Sequence, residues 1–472
     1  MTTGLRRGFV VLTLAQVSFV ICGYATHVLL ARKLGPAAYG TYGVVLSVLS
    51  TVALVLNGGL PEAIAKFAAE RPQDADGIFA RGIAIQFRFS LLLALAFAAA
   101  SPVIGMALHD HALAPVLAAS ALAVPPIALY AVVVGAFNGQ HRFTAQALAV
   151  GGYGVLRAGL VIGLALRYEI SGAVVGFVLS PLVVVGFALP GILRRRTTSR
   201  LDARALWVFA RPVIGFTIAL SLLMGFDLFV VKALVRDADL VGYYAAATTI
   251  SKVPYFVFST LGVVLLPIVS SAGSDADGSV LLVARNAIRL IFAVALGVAS
   301  VGAPFSHAVL STLYGERYSV AALPLGLLLI AMTLFTLTFI VAYTLNGLGQ
   351  PGLGQRLTMI GVVLELVVAV VLTPLFGPSG AAAASCLTSV ALLVALLHYA
   401  KPYLGVVFAY GSLLRVGLAC IATLAMGFAL PHVRPLHLLY SLPLALGYCA
   451  LLVLSREISV QQVRGWARRE RG

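Results

Sequence analysis

The sequence predicts an all-α polytopic membrane protein of about fourteen transmembrane helices. Three observations carry that expectation. The chain is 61% hydrophobic and only 10% charged, where soluble domains carry about 25% charged residues; its mean hydropathy is +1.04. Apolar runs long enough for spans of roughly 20 residues recur along its length. The sequence also copies itself faintly. Asn138-Gly139 recurs as Asn346-Gly347 and Ser171-Gly172-Ala173 as Ser379-Gly380-Ala381, each 208 positions on, while Tyr39-Gly40-Thr41-Tyr42 echoes Val241-Gly242-Tyr243-Tyr244 at an offset of 202.

The spans run 8–30, 38–60, 83–106, 113–137, 147–166, 170–193, 207–232, 241–269, 287–313, 320–346, 356–375, 378–399, 412–430 and 436–455. They do not alternate polar and apolar residues as barrel strands would, so helices are expected. Arg167-Tyr168-Glu169 separates the fifth from the sixth, and Gly377-Pro378 the eleventh from the twelfth. Pro125-Pro126, Pro181, Pro254 and Pro324 fall inside spans and are expected to kink them. Six crossings return a chain to its starting side, so the repeat implies two six-helix lobes related by a pseudo-twofold axis along the membrane normal. The N-terminal lobe is read at 1–205 and the C-terminal lobe at 206–400. Two further helices and a basic tail fill 401–472, and the basic stretch 194–211 links the lobes.

A net charge of +16 suggests nucleic acid until the cations are placed. Alternating sides from a cytoplasmic N-terminus puts 23 Lys and Arg inside and 7 outside, with Arg157 and Lys252 in the membrane. That asymmetry follows the positive-inside rule with both termini cytoplasmic. The basic clusters then face anionic lipid, and no nucleic-acid partner is expected. The apolar run after Arg6-Arg7 passes Val28, too long for the h-region of an export signal, and is expected to stay as an uncleaved first span. Cys22, Cys386, Cys420 and Cys449 each stand alone, without disulfide or metal spacing. His109-Asp110-His111 is an isolated motif, and neither an HExxH pair nor a phosphate-cradling loop occurs. The expectation is a non-enzyme without metal or cofactor.

Polar stripes on apolar helices point to a cavity or a helix interface. The eighth span has the clearest one: Tyr244, Thr248, Ser251, Lys252, Tyr255 and Ser259. The first span offers Gln16, Tyr24 and His27, with Arg32 at its outer mouth; the second carries Asn57, and the seventh holds Asp227 and Lys232. Gln16, Tyr24, His27, Arg32, Asn57, Asp227, Tyr244, Thr248, Lys252 and Tyr255 are therefore the candidate cavity residues. Charged groups near mid-membrane cost about 2.5–3.5 kcal/mol each, which singles out Arg157, Lys252 and Glu365. Arg157 and Glu365 occupy repeat-equivalent positions with opposite charge, and His27-x4-Arg32 aligns with Asp227-x4-Lys232. Two readings stay open. Asp227 pairs with a nearby cation and pins the lobes, or the cations neutralise an anionic headgroup while Asp227 and Glu365, with Arg157, form a coupling or charge-pair system.

Three segments carry a resemblance to a known family. They are Leu30-Ala31-Arg32-Lys33-Leu34-Gly35-Pro36-Ala37-Ala38-Tyr39-Gly40, then Asp227 followed by Val241-Gly242-Tyr243-Tyr244-Ala245-Ala246-Ala247, and Tyr314-Gly315-Glu316-Arg317-Tyr318. With Leu266-Pro267 and Asn346-Gly347 they resemble polysaccharide exporters of the oligosaccharidyl-lipid flippase family over about residues 8–400. Relatives of that family are the O-antigen flippases, the lipid II flippase and the multidrug (MATE) exporters. The resemblance implies two MATE-like six-helix lobes with a cavity among helices 1, 2, 7 and 8. In the lipid II relatives helices 13 and 14 form a groove for the lipid tail. Gln16 and Tyr24 stand where the lipid II branch has cations, which favours the polysaccharide-exporter branch.

Family membership further implies alternating-access translocation of a polyprenyl-diphosphate-linked saccharide across a bacterial cytoplasmic membrane, for cell-surface polysaccharide biosynthesis. Tyr24, Tyr244 and Tyr255 would meet sugar rings, and Lys252 and Arg32 the phosphates. Partners would be membrane lipids, glycosyltransferases and a polysaccharide polymerase. The rival readings are a cation-coupled exporter of amphipathic drugs, a membrane glycosyltransferase or ligase, and a non-transporting scaffold.

Overall fold

The computed structural model describes residues 3–57, 59–70, 72–140, 142–192, 204, 214–215, 217–259, 279–348, 350–430 and 439–455. Apart from Arg204, the basic linker 194–211 lies outside them, as do Leu266-Pro267 and the tail 464–471. Every regular element among the described residues is helical. Two compact units are present: residues 1–222 with 236–242, and residues 223–235 with 243–472.

The first unit is built on α1 (Thr3–Leu34), α2 (Pro36–Asn57), α3 (Leu60–Glu70), α4 (Ala75–Ala107), α5 (Leu113–Ser120), α6 (Val124–Gly139) and α7 (Phe143–Ile192). Next come α8 (Phe226–Leu234), α9 (Ala238–Ser251), α10 (Ser279–Gly302), α11 (Ser306–Leu313) and α12 (Ala322–Gly347). The rest are α13 (Pro351–Phe376), α14 (Pro378–Leu404), α15 (Tyr410–Ala429) and α16 (Ser441–Leu454). Ten helices among the described residues are long and apolar enough to cross a membrane; an eleventh joins them if the bent pair Thr217–Leu223 and Phe226–Leu234 is one span. The 48-residue stretch Phe143–Pro190 enters that count once. At ~1.5 Å per residue it is about 72 Å long, enough to cross a ~30 Å hydrocarbon core twice. Counted as two crossings, and with the shorter apolar helices, the described elements are consistent with fourteen spans.

The double crossing turns where the sequence placed the division. Tyr168 and Glu169 leave helical geometry inside α7, with Glu169 at φ 51° and ψ −132°. At the equivalent place 208 residues on, Gly377 between α13 and α14 has φ 59° and ψ −144°. Glycines hold the following legs close. A Cβ on Gly172 would overlap the Leu164 carbonyl oxygen, and one on Gly380 would overlap that of Leu372, each eight residues back. The repeat read from Ser-Gly-Ala is thus a repeat of one backbone turn and its hairpin. The Asn-Gly copies likewise end α6 and α12 in both units.

Residues 61–82, expected as the connection between the second and third spans, hold nearly all of α3. Its buried Leu60, Ala63, Ile64 and Ala68 repeat at helical spacing against Ile78 and Phe79 of α4 and Val132, Val133, Ala136 and Phe137 of α6. Small residues admit it: a Cβ on Gly135 would sit 3.1 Å from Pro61 O, and one on Gly139 2.9 Å from Ala65 O. Two of the expected proline kinks are instead helix starts. Pro126 lies in the first turn of α6 and Pro324 in that of α12, where a missing N–H leaves no hydrogen bond unmade. Pro181 sits within α7 without leaving helical geometry. At Lys252 the expectation holds, since α9 ends at Ser251 and helix resumes over 253–259.

Glu169 is exposed and occupies a conformation that suits glycine, at a cost on the order of 1–3 kcal/mol for an L side chain. Glu169→Gly should therefore stabilise the protein by about 1 kcal/mol after the extra chain entropy of glycine. Gly377→Ala should destabilise it by a similar amount. Thermal unfolding in detergent checks both signs.

Candidate functional site

The second unit gathers polar groups in an otherwise apolar layer. Val230 of α8, Ala369 of α13 and Ala384 of α14 form a buried cluster, joined by Phe226, Val368 and Leu372. Asp227 stands at the edge of this layer in the first turn of α8, just after the 47° break that follows Leu223. A helix N-terminus favours a negative group, so the break and the acid belong together. The side chain is 1% exposed. Its Oδ2 accepts a 2.6 Å hydrogen bond from the hydroxyl of Tyr244 on α9. Lys252, half-buried at the interruption after α9, is close enough to act electrostatically on Asp227.

Glu365, fully buried on α13, is the second acid of this cluster. Ser385 of α14 donates a 2.7 Å hydrogen bond to its Oε1, and its field reaches both Asp227 and Tyr244. Asp227 Oδ1 and Glu365 Oε2 are buried with no hydrogen-bond partner among the described residues. Two carboxylates therefore each hold one oxygen on a hydroxyl and leave the other open. Among the described residues no three His, Cys, Asp or Glu side chains converge as a metal site.

The first unit treats its charge differently. Arg157 lies over three rings, with its guanidinium carbon 4.9 Å from the Phe19 centroid, 5.4 Å from Phe177 and 5.6 Å from Tyr153. Tyr153 stacks on Phe19 at 5.8 Å and packs against Tyr130 at 4.4 Å. His27 hydrogen-bonds Tyr39 Oη through Nδ1 at 2.9 Å and meets the edge of Tyr42. His27–Tyr39 in the first unit and Asp227–Tyr244 in the second thus place the same kind of pair across repeat-related helices.

The sequence-predicted residues fall into three sets. Asp227, Tyr244, Lys252 and Glu365 come together in the second unit, while Arg157 and His27 sit in ring-lined settings in the first. Thr248 turns its hydroxyl back onto Ala245 O, and Tyr255 packs on Phe339. Gln16, Arg32 and Asn57 are exposed and Tyr24 is half-buried. The described partners of Arg157 and of Glu365 belong to their own units. Sequence reasoning missed Ser385, Phe19 and Phe177. Tyr153, one helical turn before Arg157, was the one legible signal.

A family model described as "Polysaccharide biosynthesis protein" matches residues 29–323. The chain is 31% identical over 122 residues to a protein of Haloferax volcanii named as a probable low-salt glycan biosynthesis flippase, Agl15. That match covers 26% of this chain and 25% of the relative, so the chain spans about a quarter of the length of the relative it matches. Among solved structures, the lipid II flippase MurJ in an inward closed conformation aligns with a TM-score of 0.76 at 14% identity, over 94% of this chain and 98% of that one. An inward-facing MATE multidrug resistance transporter of the MOP superfamily aligns at 0.70 and 16% identity, over 82% of this chain and 95% of that one. The fold is therefore that of the MurJ and MATE proteins. The relatives are flippases and transporters by name, none of them an enzyme, and the apolar helices make this chain a multi-pass membrane protein.

Tyr244→Phe removes the side-chain hydroxyl that donates to Asp227, and Ser385→Ala removes the one that donates to Glu365. Hydrogen bonds to charged groups contribute about 1.5–3 kcal/mol. Each variant should lower the melting temperature in detergent, and the double variant should lower it by less than the sum of the two if the acids share one site.

Proposed function

We propose, for a chain that belongs to the polysaccharide biosynthesis protein family, that it is a lipid-linked oligosaccharide flippase. Its cargo is a polyprenyl-diphosphate-linked glycan, carried by alternating access across a cytoplasmic membrane in which both termini face the cytoplasm. The observation behind this reading is a set of charged and hydroxyl-bearing side chains buried within membrane-spanning helices of a polysaccharide-pathway family. A scaffold has no use for them, and an enzyme acting outside the bilayer would place its acids elsewhere.

Sugar hydroxyls without partners in hydrocarbon cost several kcal/mol each. A flippase lowers that barrier by sheltering the headgroup while the polyprenyl tail stays in lipid. Lys252 supplies positive charge for the phosphates, with Arg32 nearer the surface. Tyr24, Tyr244 and Tyr255 supply rings and hydroxyls, and Gln16, Asn57 and Thr248 supply further hydrogen bonds to the saccharide. Reversal of access requires a ligand that binds the two states unequally. The open oxygens of Asp227 and Glu365 suit a proton or small cation in that role.

Replacing Lys252 by Ala should abolish surface glycan while leaving the amount of membrane-inserted protein unchanged; normal glycan would remove Lys252 from the mechanism. In reconstituted vesicles, wild type should expose a lipid-linked saccharide on the far leaflet faster than protein-free vesicles. Asp227→Asn and Glu365→Gln should remove any dependence of that rate on a proton or sodium gradient. Efflux of a cationic dye without movement of the glycolipid would instead establish a drug exporter.

A further inference from the structure

We propose that Arg157 is a receptor for a phosphoryl group of the lipid-linked substrate, an inference that rests on the flippase reading. Its place along α7 sets the problem. It lies 14 residues after Phe143 and 11 before Tyr168, or about 21 Å and 16 Å of helix. That is mid-membrane, where an unpaired cation is costly and calls for an explanation.

The surroundings of Arg157 steady the cation without neutralising it. Phe19, Tyr153 and Phe177 all lie within 6 Å of the guanidinium, where the negative ring faces attract it. Rings leave the in-plane N–H donors unspent, and no hydrogen bond or ion pair to Arg157 occurs among the described residues. Nor are those donors sealed away. Arg285 and Arg289 bury an Nε atom without a partner, whereas no atom of Arg157 does so, and its side chain is half-buried. The guanidinium therefore offers its donor edge to accessible space.

The neighbouring helix keeps that edge clear. A Cβ on Gly23 of α1 would stand 3.3 Å from Arg157 Nη2, so glycine there leaves room beside the nitrogens. Beyond the cage, Tyr130 packs on Tyr153 and Tyr42 on Phe177. A planar fork fixed by rings, with free donors and no acid beside it, matches two oxygens of a tetrahedral anion. A packing role would be met as well by a neutral side chain, and a charge-pair role would place a carboxylate in the cage. A carboxylate on the glycan shares this chemistry, so the test separates the two sources.

The probe is a short-chain polyprenyl diphosphate bearing one N-acetylglucosamine, titrated onto the full-length protein in lipid nanodiscs. A phosphate-free polyprenyl glucuronoside is the comparison. Arg157→Gln should weaken binding of the diphosphate probe on the order of ten- to hundred-fold, the size of a lost charged hydrogen bond, and Arg157→Lys should restore part of it. Binding of the glucuronoside should not respond to either change. Melting temperature without ligand reports folding. If Arg157→Gln does not fold, Gly23→Val carries the test, because it crowds the nitrogens while leaving the rings in place; it should weaken the diphosphate probe several-fold. Undiminished diphosphate binding by a folded Arg157→Gln protein would overturn the proposal, as would a dependence on Arg157 seen with the glucuronoside alone. Vesicles keep the two readings apart. Wild type that moves the glycolipid alongside Arg157→Gln that moves it equally fast sinks this inference and leaves the flippase, whereas inactive wild type sinks the flippase and leaves the binding result to decide Arg157.

Discussion

Hydrocarbon offers a polar group nothing to bond with, and most features of this chain answer that single constraint. Backbone donors and acceptors are satisfied within helices because no alternative exists in lipid. The hydroxyls follow the same rule. On α12, Thr333, Thr336, Thr338 and Thr344 all return their protons to the carbonyl four residues earlier, at 2.6–2.9 Å. Where the chain must reverse, it does so within one or two residues, with positive φ at Glu169 and Gly377, and re-enters a helix at once. The small residues that follow bring the two legs together so that little backbone is left uncovered.

The same constraint explains how one repeated scaffold holds two different chemistries. Arg157 and Glu365 descend from equivalent places in the repeat, twelve residues before the reversing residue in each unit. A cation can be eased by ring faces, which cost no hydrogen-bond partner and are themselves apolar. A carboxylate cannot, since ring faces repel it and it needs donors. The first unit accordingly surrounds its charge with Phe19, Tyr153 and Phe177, and the second brings Ser385 and Tyr244 to its acids. Divergence of the two halves is therefore a divergence in side chains on a common backbone plan.

Much of this was legible in the residues themselves. Long apolar runs fixed the spans, and a charge inside one is rare enough to stand out, so Arg157, Lys252, Asp227 and Glu365 were found without coordinates. The repeat was visible because Gly and Asn at turns leave a spacing that survives when the surrounding residues change. Partners were harder to see. Ser385 reaches Glu365 only through the register of a hairpin closed by Gly380, and Phe19 and Phe177 reach Arg157 from other parts of the unit. Residues 61–70 read as a connection because Glu62, Lys66 and Glu70 interrupt the apolar run. Their buried face shows only at a spacing of three and four. Proline misled at positions 126 and 324, where a residue that breaks a helix in its middle instead begins one.

The two acids of the second unit bear on whether that cluster is structural or functional. A charge near mid-membrane costs about 2.5–3.5 kcal/mol on insertion scales, and one hydroxyl donor to it returns about 1.5–3 kcal/mol. One hydroxyl per acid offsets much of that cost, but Asp227 Oδ1 and Glu365 Oε2 are buried without a hydroxyl partner among the described residues. A purely structural pair would gain by closing both oxygens, or by replacement with apolar side chains of similar size, which often stabilises. An arrangement left half-satisfied among buried apolar side chains is instead one that a bound proton or cation can complete. In the proposed cycle, a ligand that completes the pair in one state and not in the other would bias the two states unequally.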